Sequence, residues 1–163
     1  MAAFTEVRPA LRLLCLGNDI LADDALGMWV AREVRRRYGD RVEVVWSTEA
    51  GFDLLERVEG ASRLVAVDTI VTGNAEPGTI HVFEDCDVRP AQGGSPHFIG
   101  LFEVLQAARS LGLRVPRRIT VVAVEAADCW TVGGPMHPDV LAAVPAVADR
   151  IGRLLEGGKS GEG

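Results

Sequence analysis

Apolar positions change period several times along the chain, and each change marks an element. "LRLLCLG" (11–17) is a short apolar run ended by glycine, the pattern of a buried parallel strand. From Asp24 the period becomes helical. Leu26, Trp29, Val30, Val34 and Tyr38 share one face, and arginines collect at the C-terminal end, where they suit the helix dipole. "RVEVVW" (41–46) reads as a second strand and "GFDLLERV" (51–58) as a short helix. "RLVAVDTI" (63–70) is a third strand, rich in β-branched residues, with Asp68 near its C-terminal end. After turn signals at Gly73–Asn74 and Pro77–Gly78, "TIHVFE" alternates like a one-faced strand, expected antiparallel at a sheet edge. "AQGGSPH" (91–97) reads as a flexible loop delivering His97 to a helix whose buried face carries Phe98, Leu101, Phe102 and Leu105. "RITVVAVEA" (118–126) is the last strand. A loop with Gly133, Gly134 and Pro135 then leads to a C-terminal helix starting near Pro138, which Pro145 should kink or divide.

Strands alternating with helices imply an α/β fold, a three-layer α/β/α sandwich. Its mixed five-stranded sheet has one antiparallel edge strand. The 163 residues suit a single domain spanning 1–163, with a core of about 11–154 and disordered termini. In such folds ligands bind beyond the carboxyl ends of the strands, at a topological switch point. Asp24, Asp68 and His97 all follow strand ends, so this fold can bring them to one crevice.

Charge and composition narrow the function. A net charge of −6 argues against a nucleic-acid partner. No apolar run approaches the ~20 residues of a membrane span, so no membrane insertion is expected. The opening "MAAFTEVRPALRLLCLG" lacks the regions of a signal peptide, and Cys15, Cys86 and Cys129 are odd in number and widely spaced. A reduced, cytoplasmic setting is expected. The single lysine, Lys159, lies in the tail "EGGKSGEG", so a phosphate-loop lysine or a Schiff base has no residue to use.

Taken one at a time, the candidate residues have ordinary readings. Asp23 or Asp24 suits a helix start, and Asp68 suits a strand end that solvates or caps a loop. His81 and His137 read as structural or solvent-facing, and Cys15 as a small core residue. Together, two carboxylates and an imidazole form a mixed oxygen–nitrogen set suited to a first-row divalent ion such as nickel or zinc. No Ser–His–Asp or Cys–His nucleophile set is visible. That leaves Asp23, Asp24 and Asp68 as candidate general bases for a water. A receiver-type phosphoacceptor domain would need a lysine near the last strand, and "RITVVAVEAADCW" has none. "GNDILADD" is not the GxGxxG of a dinucleotide site.

Four ordered blocks resemble one family, the endopeptidases that mature [NiFe]-hydrogenases. "LGNDILADDALG" is similar to its glycine–asparagine, acidic-pair, glycine signature. "LVAVDTI" with "GNAEPGTIHVF", then "SPHFIGLFEVL", then "HPDVLAAV", resemble its later blocks. The resemblance covers roughly residues 11–154 and maps the family's metal-contacting residues onto Asp24, Asp68 and His97. It implies an aspartic-type endopeptidase that removes a C-terminal extension from the hydrogenase large-subunit precursor after nickel insertion. The nickel belongs to that precursor, with none tightly bound by the protease, and a monomer is expected. Clipping then lets the large subunit close over its active site and join the small subunit. The family often has Glu where this chain has Asp24, and "STEAG" (47–51) replaces a more glycine-rich segment, which brings Glu49 toward consideration. The same ligand set also fits a non-catalytic, nickel-dependent binding or checkpoint module for the precursor.

Overall fold

The sheet is built around a strand that has no solvent-facing side, its one charged residue, Arg12, being buried and bonded to Glu43 and to the Arg57 and Glu59 carbonyls. β1 (Leu11–Leu16) is buried along its whole length, so it must be covered on both sides and flanked by strands on both edges. In the computed structural model, which describes residues 11–84 and 96–157 (the side chains of 96–99 excepted), both demands are met. β2 (Glu43–Ser47) and β3 (Arg63–Ile70) pair with β1 in parallel, β5 (Arg118–Glu125) pairs in parallel with β3, and β4 (Ile80–Glu84) lies antiparallel on β5. The order β2-β1-β3-β5-β4 makes a mixed five-stranded sheet with the expected antiparallel edge.

Alternation along each strand divides the core into two layers. Leu13, Cys15, Val65, Val67, Val122 and Val124 pack on one side. They meet α1 (Leu26–Tyr38), α4 (Pro138–Ala142) and α5 (Val144–Gly157). Leu14, Leu16, Leu64, Ala66, Ile70, Val121 and Ala123 pack on the other, against α2 (Leu55–Val58) and α3 (Pro96–Ser110). Each fully buried leucine contributes about 1.5–3 kcal/mol, so the two layers carry most of the fold's apolar stabilisation.

Three local expectations meet the structure differently. The helical period is borne out in α1 for Leu26, Val30 and Val34, all fully buried, but Trp29 is 42% exposed, with the Arg32 guanidinium 5.5 Å from its ring centre. Gly27 and Ala31 fill the buried face instead. The reason is steric: a Cβ on Gly27 would sit 2.3 Å from the Leu16 carbonyl oxygen, so the helix lies too close to β1 there for a large side chain. The C-terminal helix divides at Ala143, and Pro145 falls in the first turn of α5, where its missing N–H costs nothing. The expected disorder of the termini and the glycine loop before α3 lie outside the described residues.

Candidate active site

The strand order reverses between β1 and β3: from β1 the chain goes out to β2 on one side, then to β3 on the other. Ligand crevices of parallel sheets form at such a point, beyond the carboxyl ends. The segment 17–25 follows β1 there, and its geometry explains the glycine–asparagine signature. Gly17 has φ +144°, and a Cβ on it would sit 2.1 Å from the backbone oxygen of Asp24. Only glycine allows the chain to double back so tightly, and the Asn18 N–H closes the turn on that same oxygen at 3.1 Å.

Asp23 and Asp24 then occupy one short 3-10 turn, Ala22–Ala25, and both are buried. Both acids lie in the first turn of this 3-10 segment, as a helix-start reading expects, but neither side chain caps the turn or α1. Asp23 is a knot between distant segments. Its Oδ2 accepts the N–H groups of Ala127 and Asp128 at 2.8 and 2.9 Å, and its Oδ1 accepts that of His137 at 2.6 Å. The 126–137 loop is thereby tied to the loop after β1. Beside it, Leu21 forms an antiparallel bridge to Val132, and Gly133 N–H bonds the Ile20 carbonyl at 2.8 Å. Ala22 carries the one positive φ (+34°) of a non-glycine among the described residues, a strained conformation that these flanking bonds hold in place. With three donors on its two oxygens, Asp23 is a structural acid and leaves the list of candidate general bases.

Asp24 and Asp68 approach from opposite faces of the sheet. Alternation along β3 puts Asp68 on the side of Ala66 and α3, and Thr69 on the side of Val67 and α1. Thr69 joins them. Its backbone N–H donates to Asp68 Oδ1 at 2.7 Å, and its hydroxyl donates to Asp24 Oδ1 at 2.9 Å. All three residues are buried. His97 is the second residue of α3, which packs on the face that Asp68 occupies; its side chain lies outside the described residues. Among the described residues, no three His, Cys, Asp or Glu side chains are gathered to hold a metal ion.

The surroundings of neither described cysteine favour a thiolate. Cys15 is fully buried in β1, and desolvation drives its thiol far above the ordinary value. Cys129, half-buried on the 126–137 loop, donates to the Thr69 hydroxyl at 3.4 Å. Burial pushes its pKa up to about 12, opposed by the Thr69 hydrogen bond, while the charges of Asp24, Asp23 and Asp68 each add a lesser upward push. Glu49 is held by Arg57 through two bonds of 2.8 and 3.0 Å and by the Ser47 hydroxyl at 3.1 Å. His137 caps α4, its Nδ1 accepting the Asp139 N–H at 3.2 Å, in keeping with a structural role.

Sequence reasoning passed over two polar residues that the structure makes central. Thr69 follows Asp68 in an otherwise apolar strand, and two successive polar residues there mean that both faces of the sheet turn polar at its carboxyl edge. Glu125, ending the last buried strand, is itself buried. Its carboxylate accepts from Thr72 N–H and Gly73 N–H at 2.8 and 3.1 Å and from the Thr72 hydroxyl at 2.9 Å. His81 Nε2 lies 3.1 Å from Oε2, so this histidine is a partner of the buried acid rather than a surface residue.

Comparison with known proteins adds an independent line. The family model described as hydrogenase maturation protease matches residues 28–153, a span that includes Asp68 and His97 and begins just after Asp24. The chain is 32% identical over 152 residues to the hydrogenase expression/formation protein HupD of Rhizobium leguminosarum bv. viciae, covering 90% of this chain and 74% of that protein. It is 36% identical over 121 residues to the hydrogenase 2 maturation protease of Escherichia coli K12, covering 70% of this chain and 73% of the relative. In structure it is similar to the hydrogenase maturating endopeptidase HybD from E. coli, with a TM-score of 0.78, 29% identity and 93% of each chain covered.

Proposed function

The chain belongs to the hydrogenase maturation protease family, and from that premise we propose that it is an aspartic-type endopeptidase acting on a [NiFe]-hydrogenase large-subunit precursor. It removes the C-terminal extension of that precursor once nickel has been inserted. The observation that carries this reading is the meeting of Asp24 and Asp68 around Thr69 at the switch point, with His97 opening the helix packed on the Asp68 side.

The donor set fits the ion. Two carboxylates and an imidazole suit a first-row divalent metal, and here that metal is part of the substrate, carried by the precursor. Asp24, Asp68 and His97 contact the nickel on the large subunit and so bring the adjoining peptide into the crevice. A water then attacks the scissile carbonyl while Asp24 or Asp68 takes its proton as general base. The remaining proton requirement, at the leaving amine, is met by the carboxyl group so formed. Asp23 takes no part, since its oxygens hold the 126–137 loop. A thiol nucleophile is disfavoured by the high pKa of Cys129. The exposed Ile20, Trp130 and Val132 flank the crevice on the two segments that Asp23 ties together, and they offer apolar contact to an extended chain.

The test is incubation of the purified protein with nickel-loaded and nickel-free precursor, followed by mass measurement of the large subunit. Loss of the C-terminal peptide from the nickel-loaded form alone is expected. Nickel-dependent association without any mass loss would instead identify a checkpoint module, and equal cleavage of both forms would remove nickel from the reading.

A further inference from the structure

The two candidate carboxylates reach the crevice from opposite faces of the sheet, so something must set their separation. We propose that Thr69 is the positioning residue that does so, its hydroxyl fixing Asp24 against Asp68, with the Cys129 thiol orienting that hydroxyl. This rests on the reading of Asp24 and Asp68 as the functional acids.

The bonds define a direction. A carboxylate can only accept, so the single hydroxyl proton of Thr69 goes to Asp24 Oδ1 at 2.9 Å. The Thr69 oxygen is then left to accept, and the Cys129 Sγ–H supplies a donor at 3.4 Å. The chain therefore runs from Cys129 through Thr69 to Asp24. The N–H of the same residue holds Asp68 Oδ1 at 2.7 Å. One buried residue thus contacts both acids, one through its backbone and the other through its side chain. β3 is a rigid interior strand, in register with β5 at Thr69↔Val124. Threonine is also stiff at χ1, so its hydroxyl has a fixed aim rather than a range of them. The short side chain of Asp24 needs such a fixed partner to hold its oxygens at a defined place.

The experiment measures kcat and KM for precursor processing by Thr69→Val and Thr69→Ser, with Asp68→Asn alongside and thermal unfolding of each variant. Thr69→Val keeps the shape and removes the hydroxyl. A hydrogen bond to a charged group lost in this way is expected to lower kcat by about 10- to 100-fold. KM and the unfolding temperature should change little. Thr69→Ser restores the hydroxyl and should return kcat to within about threefold of wild type, a rescue that a packing role would not produce. Cys129→Ala, which leaves the Thr69–Asp24 bond in place, should give a smaller loss than Thr69→Val. If Thr69→Val does not fold, Thr69→Ala and Thr69→Ser make the same comparison. Wild-type kcat in Thr69→Val with an inactive Asp68→Asn overturns the positioning role and leaves the site reading standing. Equal losses in the Val and Ser variants also overturn it. Wild-type rates in both Thr69→Val and Asp68→Asn overturn the site reading itself.

Discussion

At the β5–β4 side of the sheet's carboxyl edge, Glu125 takes its donors from Thr72, Gly73 and His81, all in or beside the connection between β3 and β4. At the β1–β3 side, Asp24 and Asp68 come from different elements and different faces of the sheet, and Thr69 links them. Both regions bury carboxylates. The first uses its acid to clasp a neighbouring loop, and the second makes a place where two faces of the sheet meet at a switch point. Burial of an acid is therefore a poor sign of function by itself. What distinguishes the two is where the partners come from: a clasp draws them from one loop, and a crevice gathers them from separate layers. Asp23 sharpens the point. It adjoins Asp24 in sequence, yet its three backbone donors make it a clasp.

The strongest challenge to this contrast is at the crevice. Asp68→Asn keeps volume and removes charge, and His97→Ala removes the one nitrogen of the set. Each should reduce processing of nickel-loaded precursor by more than about 100-fold, beyond the 10- to 100-fold typical of a residue one contact removed from a metal. Circular dichroism should show the fold intact. A folded variant cleaving at the wild-type rate would mean that the crevice has the wrong residues.

Asp23→Asn should act on stability. It places an amide NH2 where the acid receives backbone donors, at a cost of about 2–3 kcal/mol, the scale of hydrogen bonds to a charged group. For a chain of this size that lowers the melting temperature by about 4–10 °C. An unchanged melting temperature with lost processing would move Asp23 back among the catalytic candidates.

Glu125 predicts a pH effect of smaller size. Burial pushes its carboxyl up, but the hydrogen bonds from Thr72, Gly73 and His81 outweigh that and hold it below the ordinary value. A pKa lowered on folding contributes stability that is present above the unfolded value of about 4.3 and lost as pH falls through the folded one. Denaturation of wild type and Glu125→Gln across this acid range should show a shallower decline in the variant. Parallel curves would mean that the clasp does not depend on the charge.

The mildest effect is expected from Asp24→Glu, which keeps the carboxylate and lengthens its arm. Processing should fall by less than about tenfold, because charge and donor type are kept while the oxygens move by one methylene. A loss as large as that of Asp68→Asn would show that reach, as well as charge, is set at this position.

The sequence by itself determined the layers, the element order and the site's neighbourhood. β1 and β3 are mainly apolar and lack polar alternation, so they had to be central, and "TIHVFE" alternates, so it had to lie where one face is open. These are local properties, because period and turn chemistry act over a few residues. The Pro–Gly turn and Pro145 were legible for the same reason. Trp29 was not, since its exposure depends on how closely α1 approaches β1 at Gly27, a distance between two elements. The division of labour in the acidic pair was equally hidden. Asp23 and Asp24 are identical in type and adjacent, and only the arrival of the 126–137 loop, more than 100 residues later, commits Asp23 to backbone amides. Thr69 and Cys129 belong to the same class. A threonine beside an aspartate in a strand is unremarkable in one dimension, and it becomes the link between two carboxylates only when β1, β3 and that loop converge, because hydrogen bonds act over about 3 Å in space, whatever the separation along the chain.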